Sequence, residues 1–135
     1  MAFTVNDVEV VFEPEKEAYR EAFGALLCSL DALQERLERS LKKNRKRGGN
    51  AYIRSYEASR AAETAMREQI DALLGAGAWA SLFGDTRPAA ASHGVPLWFN
   101  LTEGLYDAMD AQQRPKACDA VILKYRTKRI ARSRG

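Results

Sequence analysis

Few side chains in this sequence have the types and spacing that catalysis requires. His93 is the sole histidine, and it lies in a loop rich in Gly, Pro, Ala and Ser. A general base needs a hydrogen-bonding partner, and no acidic residue or nucleophile lies close to His93 in sequence. Cys28 and Cys118 lie beside apolar positions of predicted helices, where cysteine usually behaves as a small buried hydrophobe. We expect a protein that is not an enzyme, with no metal and no cofactor; a Cys28–His93 pair is the enzymatic alternative.

One glycine motif has the letters of a nucleotide-binding turn. Gly75, Gly77 and Ala80 match G-x-G-x-x-A. That motif works where a strand delivers the glycines to a helix N-terminus, whereas here a predicted helix precedes them. The glycines therefore indicate the end of a helix.

Basic residues form two clusters that contain no acidic residue. The first cluster is Lys42, Lys43, Arg45, Lys46 and Arg47, and the second is Lys124, Arg126, Lys128, Arg129, Arg132 and Arg134. Without these eleven of its 21 basic residues, the chain has ten against 18 acidic ones, so the remainder carries a net charge of −8. Such clusters bind phosphate, but aromatic residues for base stacking are missing except at Tyr125. A solvated loop and a solubilising tail are favoured over nucleic-acid binding, which stays as the alternative.

Length and composition point to one soluble domain. The chain has 135 residues, of which 46% are hydrophobic and 29% charged. Domains commonly have roughly 100–200 residues, so one domain is expected. No apolar run approaches the ~18 residues of a membrane span, and the first five residues do not resemble a signal peptide. We expect a cytoplasmic protein with free thiols, because two cysteines are too few for a disulfide scaffold.

Hydrophobic periodicity predicts a short β-hairpin followed by helices. Apolar residues alternate on either side of Asn6-Asp7, which predicts strands at 2–6 and 7–13. From residue 15 the period changes to that of a helix with an apolar seam. The spacings are 4, 3, 4, 3 and 4 through Tyr19, Phe23, Leu26, Leu30, Leu33 and Leu37. Core packing against later helices is favoured over an intermolecular coiled coil, because the seam is only about two and a half heptads long.

The rest of the chain predicts three further long helices and one short one. After a basic loop at 42–50, a helix runs to Leu74 with Tyr52 and Tyr56 among its inner positions. A short helix at 78–83, a loop at 85–96, a helix at 97–112 and a last helix from Pro115 follow. The predicted fold is mainly α, with about four main helices and an N-terminal hairpin (1–13) in one domain (1–126). A frayed basic tail is expected at 127–135.

Large apolar side chains are concentrated in the second half of the chain. The set is Trp79, Leu82, Phe83, Trp98, Phe99 and Tyr106. A domain this small has little interior, so we expect part of the set to form an exposed partner-binding patch, although most of these side chains fit a core.

The order of these features resembles that of the tail assembly chaperones of long-tailed phages and prophages of Gram-positive bacteria. The hairpin segment 3–9 (FTVNDVE) is similar to the family pattern F-x-V/I-N-G-x-E, with Asp7 in place of the usual glycine. The segment from Gly75 to Gly84 resembles the glycine-rich helix end with F-G that members carry. Residues 124–132 (KYRTKRIAR) match the family's tyrosine and basic tail.

The resemblance implies a function in tail assembly in the cytoplasm of a bacterial host. A member of this family would bind and solubilise the tape measure protein, a very long helical chain, and help recruit tail tube subunits. The partners would then be these two proteins, with an apolar groove covering the client helix, and homo-oligomers stay open. The alternative function is a small nucleic-acid-binding phage or prophage regulator that uses both basic clusters.

Overall fold

The computed structural model describes residues 3–47 and 49–134, and the side chains of 47 and 132–134 lie outside the description. The chain is 72% helical, which confirms the mainly α prediction. The strands are β1 (Phe3–Val5), β2 (Val8–Val10), β3 (Ala91–Ser92) and β4 (Val95–Pro96). The helices are α1 (Glu17–Arg47), α2 (Ala51–Leu74), α3 (Ala78–Phe83), α4 (Leu97–Ala108) and α5 (Lys116–Arg134), with a 3-10 turn at Ala111–Gln113. No helix in the described ranges is long and apolar enough to cross a membrane.

The predicted N-terminal hairpin is present. Asn6 and Asp7 have φ angles of 50° and 64°, so both lie in the left-handed region that a two-residue turn between paired strands requires. The strands are shorter than predicted, because the ladder ends at Val10; Ala2 lies outside the described residues. The Val11 N–H then donates to the Leu74 carbonyl at 3.0 Å, which ties the hairpin to the end of α2.

The apolar seam of α1 forms the centre of the core, as predicted. Phe23, Leu27 and Leu30 are fully buried, and Tyr19, Leu26 and Leu37 are nearly so. The Tyr19 hydroxyl donates to the Val11 carbonyl at 2.7 Å, so the start of the seam also holds the segment that leaves the hairpin. The core packing of this seam follows from its 4-3-4-3-4 spacing, which keeps apolar side chains on one side of the helix.

The first basic cluster lies on helix α1 and not in a loop. The helix continues to Arg47, so the predicted loop at 42–50 is wrong in most of its length. Asn44 is buried, and its Nδ2 lies 3.5 Å from the Ser55 Oγ of α2, within reach of a weak hydrogen bond. The last turns of α1 are therefore packed against α2, which runs antiparallel to it. Gly48 lies outside the described residues.

The first three turns of α2 contain no buried side chain. The buried residues of this helix begin at Glu63 and continue with Met66, Ile70 and Leu74. The prediction that Tyr52 and Tyr56 face inward is wrong, since both are exposed. The small residues at the α1 side of α2 explain this difference: Ala51, Ser55 and Ala58 let the two backbones approach, and the tyrosines point away.

Helix α5 extends through the predicted tail. It begins after Pro115 as expected but continues to Arg134, so the frayed tail predicted at 127–135 is wrong for the described residues up to 134; Gly135 lies outside them. Cys118, Val121, Ile122 and Tyr125 face the core. The Tyr125 hydroxyl donates to Asp31 of α1 at 2.7 Å, so α5 is held against α1.

Candidate functional site

The aromatic residues predicted to bind a partner lie largely in the core. Trp79, Trp98 and Phe99 are buried, which contradicts their assignment to an exposed patch. Each indole N–H has an internal acceptor: Trp98 donates to Gln34 Oε1 at 3.0 Å, and Trp79 donates to the Thr86 carbonyl at 2.8 Å. A buried indole needs such a partner, and the presence of both explains why the tryptophans can be internal.

The other three residues of that predicted patch do not form a surface either. Leu82 is buried, and Phe83 is half-buried with its ring centroid 4.5 Å from that of Trp79. Tyr106 is half-buried, and its hydroxyl donates to Asp119 at 2.9 Å. These contacts are internal, so an apolar partner surface has to be sought elsewhere on the molecule.

His93 and the two cysteines are not arranged for nucleophilic catalysis. His93 occupies the exposed turn between β3 and β4 with φ 57°, and its Nδ1 lies 3.2 Å from Ser92 Oγ. Cys28 contacts the Ala117 carbonyl at 3.7 Å, and no hydrogen bond joins it to His93 in the described chain. Burial, with a smaller effect of the nearby Cys28, raises the pKa of Cys118 to about 12, so this thiol stays protonated. The described residues contain no metal-binding group of three or more His, Cys, Asp or Glu side chains.

Three of the six residues of the second basic cluster form internal ion pairs. Lys124 contacts Asp31 at 2.7 Å and also contacts Glu35 of α1. On the other flank of α5, Arg126 and Arg129 both hydrogen-bond to Glu103 of α4. Burial acts in the opposite direction, but the hydrogen bonds from Arg129 and Arg126 lower the pKa of Glu103 below its usual range.

The other three members of the second cluster are Lys128, Arg132 and Arg134. Lys128 is exposed and lies over the Tyr125 ring, 4.9 Å from its centroid. The side chains of Arg132 and Arg134 lie outside the described residues. Three of the six positive charges in this cluster therefore balance acidic residues of α1 and α4.

Four of the five residues of the first basic cluster have described side chains, and these four make no such pairs within the described part of the chain. Lys42, Lys43, Arg45 and Lys46 are exposed, and none of them makes an ion pair with another described residue. They surround the end of the α1–α2 pair; the side chain of Arg47 lies outside the description. This end of the molecule, which we call the basic tip (Lys42–Lys46), carries unbalanced positive charge.

An exposed apolar stripe follows the outer side of α5. Leu123 is 68% exposed and Ile130 is 54% exposed, which is unusual for side chains of this size. With Ala120 and Thr127 they are spaced 3, 4 and 3 residues apart, the spacing that places side chains on one helix face. The Thr127 hydroxyl donates to the Leu123 carbonyl at 2.8 Å, so its polar group is already satisfied within the helix. We call this set the α5 stripe (Ala120, Leu123, Thr127, Ile130).

A second surface face follows the outer side of α2, where Tyr52, Tyr56 and Arg60 are exposed and Glu63 is buried. Tyr52, Tyr56, Arg60, Glu63 and Arg67 succeed one another at spacings of 4, 4, 3 and 4, so they share one side of the helix. Its central part lines a cavity of about 340 Å³ that Arg87, from the segment after α3, also borders. We call this set the α2 face.

Sequence reasoning missed both faces. The 3-4-3 spacing of the α5 stripe is visible in the sequence, but the basic residues between its members suggested a tail. The two tyrosines and two arginines that share one side of α2 are also visible in the sequence, but tyrosine at helical spacing is typical of a core position.

No protein-family model, curated protein or solved structure matches the chain.

Proposed function

We propose that the protein is a non-enzymatic assembly chaperone that binds a long helical client, as tail assembly chaperones bind the tape measure protein. The proposal rests on the family resemblance of the hairpin, the glycine-rich segment and the basic C-terminal segment. The single structural observation that supports it is the α5 stripe, because an unpartnered 3-4-3 face is the docking surface that an amphipathic helix requires.

The chemistry of the stripe suits a client that must later be released. Two large side chains and two small ones offer little buried area, so each contact with a client helix is weak. Lys128, beside the stripe, would favour acidic positions at the flank of the client helix. A long client with repeated apolar faces would engage many copies of the chaperone, and tail tube subunits would displace them one by one.

The alternative function, a nucleic-acid-binding regulator that uses both basic clusters, has weaker support. Three of its predicted contact residues, Lys124, Arg126 and Arg129, are paired with the chain's own carboxylates. Phosphate would have to compete with these pairs. The basic tip has no such competition and is considered separately below.

Co-expression tests the proposal. A tape measure protein from the same tail gene cluster is produced with the wild-type chain or with the Leu123→Glu, Ile130→Glu double variant. Each substitution places a charge where the client helix would pack, so we expect the soluble yield of the client to fall about tenfold or more in the variant.

Ile53→Glu is the matched control, since Ile53 is also 54% exposed on a helix but lies outside the stripe. This variant should retain the wild-type yield. Equal client yields with and without the wild-type chain would contradict the chaperone function. A wild-type effect that the double variant retains would place the client elsewhere on the surface.

A further inference from the structure

The α2 face combines aromatic and basic side chains in a way that the α5 stripe does not. Tyr52 is 84% exposed, and Tyr56 borders the cavity one helical turn further along. Four residues of α-helix rise about 6 Å. This separation of the two tyrosines is close to twice the ~3.4 Å spacing of stacked bases.

Three arginines surround the cavity beside Tyr56. Arg60 and Arg67 project from the same face of α2, and Arg87 approaches from the segment after α3. A single acidic residue, Glu63, opposes them, so the cavity carries a net charge of about +2 with the carboxylate ionised. Thr64 adds a hydroxyl to the lining.

Glu63 is an acceptor without a close donor at this cavity. The residue is 5% exposed, and its carboxylate lies 3.9 Å from the Arg87 guanidinium, too far for a hydrogen bond. No other described side chain donates to it. Burial raises the pKa of Glu63, although Arg87 and Arg67 oppose the shift. A buried carboxylate in this state is stabilised by an N–H donor that enters the cavity from outside.

The basic tip adds positive charge next to the first turn of α2. Its four exposed cations lie at the same end of the helix pair as Tyr52, and none is balanced by a described acidic residue. A charged polymer that occupies the cavity and passes Tyr52 would therefore meet further positive charge at the tip.

We propose that the α2 face binds single-stranded nucleic acid, with one nucleotide in the cavity beside Tyr56. Arg60, Arg67 and Arg87 would contact phosphate, and Tyr56 and Tyr52 would stack on bases. Glu63 would accept a hydrogen bond from a base N–H, as carboxylates do from cytosine N4.

Two competing ligands fit the face less well. A duplex keeps its bases stacked on one another, so the tyrosines would have nothing to stack on. An acidic peptide would meet the arginines, but its carboxylates only accept hydrogen bonds and have no flat ring, so they would leave Glu63 without a donor and the tyrosines without a stacking partner. The combination of π-faces, guanidinium groups and a buried acceptor favours a nucleotide.

Fluorescence anisotropy with labelled 20-mers tests this inference. The probes are a mixed-sequence single-stranded DNA, its RNA equivalent, the duplex of the same sequence and an acidic peptide of similar charge, each over a series of salt concentrations. We expect a single strand, DNA or RNA, to bind at least tenfold more tightly than the duplex and the peptide.

Two double variants separate stacking from charge. Tyr52→Ala with Tyr56→Ala should weaken single-strand binding by tenfold or more, since each stacked base contributes about that much. Arg60→Gln with Arg87→Gln should reduce the slope of log K against log salt by about 1.4, because two phosphate contacts are lost. Lys116→Gln with Lys128→Gln removes equal charge from α5. This control should keep the affinity within about twofold of wild type and should leave the slope of log K against log salt unchanged.

Three results would overturn the inference. These are no binding at low salt, equal or tighter binding of the duplex or the peptide, and an unchanged affinity in the tyrosine variant, which would reduce the effect to unspecific charge. Circular dichroism of each variant verifies that it is folded. The inference is independent of the proposed chaperone function, because Leu123→Glu with Ile130→Glu alters only the α5 stripe and should leave DNA binding unchanged.

Discussion

At the scale of single residues, Trp98 shows that an aromatic side chain with a polar group can be buried when that group has a hydrogen-bond partner inside the protein. Trp98 is buried because Gln34, itself buried, offers an acceptor at 3.0 Å and is in turn bonded to Glu38 at 3.1 Å. The sequence shows that Trp98 is apolar and helical, but the partner lies 64 residues away on α1. For this reason the burial of the tryptophans could not be predicted from local pattern.

Replacing Trp98 by Phe tests the importance of this bond. The variant leaves the Gln34 carbonyl oxygen without its donor in a buried site, which costs about 1–3 kcal/mol in addition to the lost ring contacts. We expect urea denaturation to show a fall of at least about 2 kcal/mol in the free energy of unfolding. Tyr106→Phe, which removes a more exposed hydroxyl bond, serves as the comparison and should lose about 1 kcal/mol or less. Equal losses in the two variants would contradict the role assigned to Gln34.

Because Glu63 is buried, its ionisation should make the protein less stable as pH rises, which is the opposite of the effect of a carboxyl with a lowered pKa. The pKa of Glu63 is raised above the ordinary value of 4.5, so the folded state binds the proton more tightly than the unfolded chain. Below pH 4.5 the carboxyl is protonated in both states and does not lower the free energy of unfolding. As pH rises from 4.5 through the raised pKa, ionisation of the buried carboxyl lowers the free energy of unfolding. Glu63→Gln removes the titrating group, so its stability relative to wild type should increase from pH 4.5 to pH 7.5.

Urea midpoints of both proteins across this pH range measure the difference. Glu68→Gln, at an exposed position of the same helix, should follow the wild-type curve. A Glu63→Gln variant that loses stability relative to wild type as pH rises would show that Arg87 and Arg67 outweigh the burial of the carboxylate.

At the scale of elements, apolar periodicity predicted the starts of the helices better than their ends. The seam of α1 and the bounds of α3 were predicted correctly because local side chains determine them. The end of α4 lies at Ala108, four residues before the predicted Gln112, since Asp110 and Gln113 form a capped turn there. Helix α5 continues past its last buried residue because Arg126 and Arg129 bond to α4, and such long-range pairs have no periodic signature.

Glu103 holds the second half of α5 against α4. Glu103→Gln removes the charge that accepts from both Arg126 and Arg129, and charged hydrogen bonds contribute about 1.5–3 kcal/mol. We expect a loss of about 2 kcal/mol at pH 7, measured by urea denaturation. Because the pKa of Glu103 is lowered in the folded state, its contribution is present above the ordinary value of 4.5 and is lost as pH falls through the lower folded pKa.

Asp107→Asn is the control for this variant. Asp107 also pairs with Arg126, but its side chain is 53% exposed, so water screens the interaction. Its loss should be below about 1 kcal/mol. A larger effect at Asp107 than at Glu103 would refute the assignment of Glu103 as the main anchor.

At the scale of the whole molecule, packing is unevenly distributed along the α1–α2 pair. The half that contains Phe23, Leu30 and Ile70 belongs to the core, whereas the half near the basic tip is less supported, because the first three turns of α2 contain no buried side chain. The candidate interaction residues of α2 lie on or beside this less supported half. Composition showed that the chain had enough apolar material for a core, but not where the core would end.

Hydrogen exchange followed by mass spectrometry should reveal this difference. Amides of residues 42–56 should exchange at least about 100-fold faster than those of residues 23–33, because local opening of the tip exposes little apolar surface. Residues 122–130 of α5 are held by ion pairs and by Tyr125. Their amides should exchange more slowly than those of residues 42–56. Equal protection of the tip and the core would mean that the helix pair opens only as one unit.

The bonds from α5 to α1 also constrain the order in which the molecule is completed during synthesis. Asp31 meets its partners Lys124 and Tyr125 only after 93 and 94 further residues have been made. Until then, the part of α1 that α5 covers has no final partner, although α2 can already pack on its neighbouring part. A chain that stops before α5 would therefore lack Cys118, Val121, Ile122 and Tyr125 from its core and would expose the apolar side chains that they cover.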